Sequence, residues 1–197
     1  MKIAIDIDEV LTDTFSEVLK FYNSKKGTSF KKEDMHDYRM WISFPCKREE
    51  IEGSLKEMIS KNLIENYCPI EGAIKSVDLL NKRNNILFIT ARPENQKFQT
   101  FNWFDKHIPK LKNKVRFSQD HFSEKGATKS EICQKEKISL IVEDSPSDAL
   151  DCGKSGIKVI LFDKPWNKSI SHPNITRVSG WKEALEVIDS IKKTTNQ

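Results

Sequence analysis

Short β-rich runs alternate with helical patterns along most of this sequence. The β-rich runs span residues 2–8, 85–90, 114–117, 139–144 and 158–163. The helical patterns span residues 72–83, 94–107, 128–136, 146–154 and 181–192. Strands separated by helices are typical of βαβ units, in which the strands run parallel. The alternation therefore predicts an α/β fold, a doubly wound parallel sheet with helices on both faces.

The interval between the first two β-rich runs departs from this alternation. Residues 14–71 are mostly helical in pattern, contain no convincing strand, and have turn residues around Gly27 and Pro45. We therefore expect a discontinuous core of residues 1–13 and 72–197, and we expect residues 14–71 to form a small inserted helical cap over the crevice.

Two acidic residues lie near the end of the first β-rich run, "KIAIDID". Strand alternation places its three isoleucines on one face and Asp6 and Asp8 on the other. In an open α/β sheet, ligands bind beyond the carboxyl ends of the strands. Two carboxylates so close together repel each other, which raises a pKa unless a cation neutralises them.

Two further strand ends carry polar side chains. The second run ends in Thr90, Ala91 and Arg92, and the fourth ends in Glu143 and Asp144, with Asp148 one helical turn later. Asp144 beside the first acidic pair favours a hard cation. A ligand set made of carboxylate oxygens suits Mg²⁺, whereas zinc prefers Cys and His ligands at spacings that this sequence lacks.

This combination of residues favours phosphoryl transfer. A carboxylate nucleophile can form a covalent phospho-intermediate, and Asp6 is the candidate. Asp8 could protonate the leaving alkoxide and then deprotonate the attacking water. Thr90 could donate to a phosphoryl oxygen, and a lysine would supply the positive charge that the transition state needs.

Four segments, in this order, resemble the motifs of the haloacid dehalogenase (HAD) superfamily. They are "DIDEVLTD", "FITARP", "GATKSEIC" with Lys129, and "IVEDSPSD". The segment "GIKVILFDKPWN" is similar to the 5′-nucleotidase branch of that superfamily, which contains the pyrimidine deoxyribonucleotidases. The resemblance covers most of residues 1–13 and 72–170, and it implies a HAD-like Rossmannoid sheet; residues 14–71 match only in position and helical character.

The resemblance implies roles for particular residues. Asp6 would be nucleophile and metal ligand, and Asp8 would be the acid/base with its backbone carbonyl on the metal. Asp144 would be a metal ligand, with Asp148 as a second carboxylate near the metal. Thr90 and Lys129 would bind the phosphate, with Arg92 as a further candidate.

Several assignments stay open. Lys125 lies one turn before Lys129 and could reach the phosphate instead, and Arg92 could brace its loop by pairing with Glu94 rather than approach the substrate. Superfamily members often have Gly after the second Asp, where this chain has Glu9; the nucleotidase-like branch tolerates Glu there, although the change could affect access to the nucleophile.

Three further side chains have two interpretations each. Asp13 is expected to cap the following helix, with a direct role as the alternative. Trp41 and Phe44 could stack on a nucleobase, although aromatic residues in a helical lobe more often pack its own core.

Composition excludes several other classes of protein. The net charge is only +4 over 197 residues and lysines are interspersed with acids, so we expect no nucleic-acid groove. The four cysteines form no C-x-x-C pair, which argues against a metal cluster or a disulfide framework. We find no secretory signal and no apolar run of membrane-spanning length, so we expect a cytoplasmic protein without a membrane partner. The oligomeric state is not indicated.

Together these features predict a Mg²⁺-dependent phosphomonoesterase that acts through an aspartyl-phosphate. A nucleoside 5′-monophosphate is the favoured substrate, with a deoxynucleotide as one form of it. The alternatives are a phosphatase of a sugar phosphate or another small metabolite, a phosphotransferase, and a non-catalytic binding protein with the same fold.

Overall fold

A central parallel sheet organises the structure, a computed structural model that describes residues 1–119 and 126–195. In these two ranges the strands are β1 (Lys2–Ile5), β2 (Asn85–Thr90), β3 (Val115–Phe117), β4 (Leu140–Glu143), β5 (Lys158–Phe162) and β6 (Ile175–Val178). All neighbouring pairs are parallel, in the order β3-β2-β1-β4-β5-β6. The predicted α/β fold is confirmed.

Helices cover both faces of this sheet. They are α1 (Thr14–Lys26), α2 (Met40–Ser43), α3 (Arg48–Ser60), α4 (Ala73–Arg83), α5 (Lys97–His107), α6 (Lys129–Lys135), α7 (Pro146–Lys154) and α8 (Trp181–Thr195). Ile3 and Ile5 of β1 pack in one apolar cluster together with residues of α4 and α8, whereas Ala4 packs in a second cluster with residues of α6 and α7. Alternate side chains of β1 thus pack in two separate apolar clusters, one on each face of the sheet, as expected for a strand that is buried on both faces.

Local signals explain where the helices begin. Thr128 caps α6 by accepting a hydrogen bond from the Glu131 N–H, and the Glu131 carboxylate accepts one from the Thr128 N–H. Ser145 caps α7, whose first residue is Pro146. The helix predicted at 94–107 begins as an α-helix only at Lys97, because residues 94–96 form a 3₁₀ turn.

The segment 14–71, which is described in full, contains α1, α2, α3 and two short 3₁₀ turns. Its two connections to the sheet lie side by side: the Asp13 N–H donates to the Cys68 carbonyl (2.9 Å), and the Ile70 N–H donates to the Leu11 carbonyl (2.8 Å). A segment whose first and last residues lie side by side is compatible with an insertion into the core. Its separation as a cap domain stays a prediction.

Two elements differ from the sequence-based expectation. The first strand, predicted over residues 2–8, ends at Ile5; beyond Asp6 the chain turns back, with the Leu11 N–H donating to the Ile7 carbonyl at 2.8 Å. Strand β6 was not predicted. It is a four-residue edge strand whose only buried residue is Val178, so it lacks the apolar alternation that marks the others.

The apolar segments of the described ranges belong to this globular core. No helix there combines the length and the apolar character that a membrane crossing requires.

Candidate active site

A cavity of about 490 Å³ opens beyond the carboxyl ends of β1, β2 and β4. One end is lined by charged side chains from the strand ends: Asp6, Asp8, Arg92, Lys129 and Asp144. The other end is lined by side chains of the segment 14–71, among them Phe15, Tyr38, Arg39, Trp41 and Arg48. The predicted crevice at the strand ends is therefore present, and the segment 14–71 forms its far wall.

Lys129 is the centre of the charged end. It is the first residue of α6 and is 4% exposed. Its Nζ lies 2.8 Å from Asp6 Oδ1, 3.0 Å from Glu143 Oε2 and 3.2 Å from Asp148 Oδ2. Burial alone would lower the pKa of Lys129, but the surrounding carboxylates raise it well above its usual value, so the amine is charged. The alternative phosphate residue, Lys125, lies outside the described residues.

Three buried carboxylates meet beside that ammonium. Oxygen atoms of Asp6, Glu143 and Asp144 lie within 4.8 Å of one another. Burial raises the pKa of Asp6 to about 6, although Lys129 opposes the shift. Burial and the proximity of Asp6 raise the pKa values of Glu143 and Asp144 well above their usual range. One ammonium leaves this group short of positive charge, and its hard oxygen donors match the preference of Mg²⁺.

This group differs from the predicted set of metal ligands. Among the described residues it includes Glu143, to which the sequence assigned no role, and it leaves out the side chain of Asp148. It concerns side chains alone, so the backbone carbonyl expected from Asp8 stays a prediction. Asp148 lies in the first turn of α7 and contacts Lys129 instead. The only sequence signal for Glu143 was its place beside Asp144 at the end of β4.

Asp144 is held by the loop that follows β5. The Trp166 indole Nε1–H donates to Asp144 Oδ2 at 3.0 Å, and the Asn167 side-chain amide donates to the Asp144 carbonyl at 2.8 Å. All three residues are buried. Both the side chain and the backbone of Asp144 are therefore fixed by neighbouring residues of one loop.

Asp8 is paired with Arg92. The guanidinium donates from Nε to Asp8 Oδ2 (2.9 Å) and from Nη2 to Asp8 Oδ1 (2.8 Å), and the Thr14 hydroxyl also donates to Asp8. Burial raises the pKa of Asp8, but Arg92 and Thr14 more than offset it and hold that pKa below its usual value. Of the two alternatives for Arg92, the pairing with Glu94 is wrong, because Arg92 pairs with Asp8 and Glu94 pairs with Lys97 at 2.7 Å.

Glu9, the residue that departs from the superfamily pattern, has a left-handed backbone with φ of 58°. Glycine adopts that conformation without strain, which explains why Gly suits this position. The Glu9 side chain is 1% exposed and accepts a hydrogen bond from the Phe15 N–H (2.7 Å). Its Oε2 lies 3.2 Å from both Lys32 Nζ and Lys164 Nζ. The carboxylate thus joins the segment 14–71 to the loop after β5, at the border of the cavity.

The remaining candidates divide between the cavity and the core. Thr90 ends β2, is fully buried, and accepts a hydrogen bond from the Arg92 N–H at 3.2 Å. Trp41 lines the cavity, with the Arg48 guanidinium 5.3 Å from its ring centroid. Phe44 is instead buried and stacks on Phe30 at 4.4 Å, so the core interpretation fits Phe44 and the base-stacking interpretation does not.

Asp13 occupies the position before α1, but its side chain forms no capping hydrogen bond to the helix backbone. It forms an ion pair with Lys32 instead. The predicted position of Asp13 at the start of the helix is therefore correct, but the predicted capping hydrogen bond is wrong.

A parallel sheet of this order is doubly wound, with its charged crevice at the carboxyl edge, and the solved structures that it resembles show that the fold is haloacid dehalogenase-like. Similar architecture is seen in the haloacid dehalogenase-like hydrolase SP0104 of Streptococcus pneumoniae, with a TM-score of 0.66 over 95% of this chain and 97% of that chain at 13% identity. A family model described as "5′ nucleotidase, deoxy (Pyrimidine), cytosolic type C protein" matches residues 1–194. The chain therefore belongs to the cytosolic type C 5′-nucleotidase family.

Bacterial relatives match along nearly their whole length. The chain is 29% identical to a Bacillus subtilis protein named "Putative nucleotidase YqfW", over 98% of this chain and 95% of the relative. It is 26% identical to "Nucleotidase CA_C3379" of Clostridium acetobutylicum, over 97% of this chain and 95% of the relative. The resemblance inferred from the motifs is thus confirmed at the level of the family.

Proposed function

We propose that this protein is a Mg²⁺-dependent phosphomonoesterase that hydrolyses nucleoside 5′-monophosphates through an aspartyl-phosphate on Asp6. The observation that carries the proposal is the position of Asp6. Its carboxylate lies 2.8 Å from the Lys129 ammonium, beside two further buried carboxylates, in a cavity whose far wall is aromatic. A nucleophile, a positive charge for the phosphoryl group and room for a nucleoside therefore share one site.

The acidic cluster fits a magnesium ion. Asp6, Glu143 and Asp144 would hold it, together with the Asp8 backbone carbonyl that the superfamily resemblance implies, whereas the side chain of Asp148 would contribute through Lys129. When bound, Mg²⁺ supplies positive charge that reduces the repulsion between the anionic nucleophile and the anionic phosphate. This charge also compensates the carboxylates, whose pKa values burial raises.

The reaction proceeds in two displacements. An Asp6 carboxylate oxygen attacks phosphorus, and the bond from phosphorus to the ester oxygen breaks as the leaving alkoxide takes a proton from Asp8. Water then attacks the phosphorus of the acyl phosphate, and Asp8 accepts a proton from that water. Inorganic phosphate leaves and the Asp6 carboxylate is regenerated. Lys129 and Thr90 stabilise the charge on the phosphoryl oxygens.

Arg92 links substrate binding to the protonation of Asp8. Its guanidinium keeps the pKa of Asp8 low, which favours Asp8 as a proton acceptor and disfavours it as a proton donor. A phosphate dianion that takes one Arg92 N–H group away from Asp8 raises that pKa again, because the carboxylate then loses part of its compensating charge. Arg92 in this way binds phosphate and prepares Asp8 as the acid.

The nucleotide assignment rests on the far wall of the cavity and on the family. A volume of about 490 Å³ lies within the range of small-molecule sites. Trp41, Tyr38 and Phe15 offer flat surfaces on which a base can stack. We propose the segment 14–71 as the cap that carries this specificity. The free cysteines support a reducing, cytosolic location.

The decisive assay compares wild type with Asp6→Asn. Both are given ribo- and deoxynucleoside monophosphates and hexose phosphates, with and without Mg²⁺. We expect turnover by wild type, highest for nucleotides, loss of at least about a thousandfold in Asp6→Asn, and loss on chelation. Asp78→Asn, a change in an exposed carboxylate of α4, serves as the matched control. A preference for hexose phosphates would refute the nucleotide assignment, and equal rates for wild type and Asp6→Asn would refute the mechanism.

A further inference from the structure

The loop after β5 contacts Asp144 in a way that the proposed chemistry does not use. Trp166 and Asn167 are buried, and each hydrogen-bonds to Asp144, the first to its carboxylate and the second to its backbone carbonyl. Trp166 donates its single N–H to Asp144 Oδ2. Because that oxygen has a partner and the indole is fixed, the hydrogen bond restricts the rotation of the Asp144 carboxylate.

The indole itself is fixed by packing. Its ring contacts Phe15 edge to face, with centroids 4.9 Å apart and planes at 80°. The Lys164 ammonium lies 5.8 Å from the ring centroid on the same loop. An N–H donor held in this way has one direction in which to donate, and Asp144 lies along it.

Asn167 fixes the backbone of Asp144. Its two amide N–H groups donate to the carbonyls of Asp144 and Phe162, each at 2.8 Å. Its amide oxygen accepts from Arg177 Nη1, and its backbone carbonyl accepts from Arg177 Nη2 at 2.8 Å. Arginine has only donors, and the Lys164 N–H also donates to the same amide oxygen at 3.2 Å, so Arg177 helps to determine which way the Asn167 amide faces. With the amide reversed, its N–H groups would face these donors and its oxygen would face two carbonyl oxygens.

Arg177 lies on β6, the edge strand that the sequence pattern did not reveal. Its Nη1 also lies 2.9 Å from Asp163 Oδ1, and its Nη2 donates to the Ile170 carbonyl at 3.0 Å. The edge strand therefore holds the loop of Trp166 and Asn167, and that loop holds Asp144.

We infer that Trp166 directly, and Arg177 through Asn167, are positioning residues that orient Asp144 and thereby set the affinity of the site for its divalent cation. The inference rests on the proposed function only in taking Asp144 as a metal ligand. Groups that hydrogen-bond to metal ligands typically change metal affinity by 10–100-fold when they are removed, because the ligand must then be ordered at the expense of binding.

The test measures cation binding without substrate, by calorimetric titration of Mg²⁺ and Mn²⁺ into metal-free protein. Trp166→Phe removes the N–H and keeps most of the ring. We expect it to weaken binding of both cations by about 10-fold or more. Trp103→Phe is the matched control. Trp103 is equally buried and its indole donates to the Tyr67 carbonyl at 2.8 Å, so this change should alter stability and leave cation affinity unchanged.

Arg177→Lys provides a second variant in case Trp166→Phe does not fold. Lysine keeps the charge but cannot bond the Asn167 amide and backbone oxygens at once, so cation affinity should again fall. Unchanged affinity in both variants would overturn the inference. So would a loss in Trp166→Phe that Trp103→Phe matches, or wild type that binds no divalent cation. Weakened cation binding in a protein that hydrolyses no phosphomonoester would support the inference and refute the proposed function, which keeps the two distinguishable.

Discussion

Asp6→Asn is expected to stabilise the metal-free protein while it abolishes turnover. Burial raises the pKa of Asp6 to about 6 even with Lys129 in contact, so the ionised side chain is unfavourable in the folded state. Asparagine has nearly the same shape and cannot ionise. The substitution therefore removes an unfavourable charge without opening a cavity.

The magnitude follows from the pKa. In the unfolded chain Asp6 titrates near 3.8, and in the folded protein it titrates near 6. Because the folded state holds this proton more tightly, the free energy of unfolding falls as pH rises between these two values, and the loss is complete above pH 6. A shift of about two pKa units corresponds to about 3 kcal/mol at pH 7.5 and to about 1 kcal/mol at pH 4.5. For a chain of this length, 3 kcal/mol is about 6 to 12 °C in Tm.

Urea unfolding in the presence of a chelator measures this difference at both pH values. Asp6→Asn should be more stable than wild type at pH 7.5, and the difference should shrink by at least half at pH 4.5. Asp78→Asn changes an exposed carboxylate and should follow wild type at both. Equal or lower stability of Asp6→Asn at pH 7.5 would refute the reasoning, since it would mean that Lys129 fully compensates the Asp6 charge.

Three further outcomes follow from the structure. Mg²⁺ should raise the Tm of wild type more at pH 7.5 than at pH 5, because protons compete for carboxylates whose pKa values burial raises; equal shifts in thermal melts would contradict this. Glu9→Gln should lower the free energy of unfolding by about 2 kcal/mol, since Lys32 and Lys164 lose their shared anion, and a urea titration showing no change would exclude that role. Trp41→Ala should raise KM for nucleotides, whereas Phe44→Ala should lower stability and leave KM near wild type; the opposite result in steady-state kinetics would place the base elsewhere.

Much of the fold was predictable because its signals are local. Apolar runs and capping residues indicate β1, β2, β4 and β5 and the helices between them without any knowledge of tertiary contacts. Strand β6 was not predicted because an edge strand buries few side chains, and only one side chain of Ile175–Val178 is buried. The early end of β1 was not predicted for a different reason, because the turn after Asp6 depends on the left-handed backbone of Glu9.

The sequence predicted which residues lie at the site better than it predicted which of their side chains form ion pairs. Ordered motifs indicated that Asp6, Lys129 and Asp144 meet at one edge of the sheet, and they line one cavity. No local pattern could indicate that Arg92 pairs with Asp8, because the two residues are 84 positions apart and meet only when β1 and β2 align. The contacts of the loop after β5 with the site are equally long-range.

Trapping the phosphorylated enzyme tests the central proposal most directly. Wild type is mixed with a deoxynucleoside monophosphate and Mg²⁺, quenched in acid within the first turnover, digested and mapped by mass spectrometry. The mechanism predicts one added phosphoryl group on the peptide that contains Asp6, and its disappearance after treatment with hydroxylamine, which cleaves acyl phosphates. A phosphoryl group on any other residue, or rapid release of phosphate by the Asp6→Asn variant, would contradict the account.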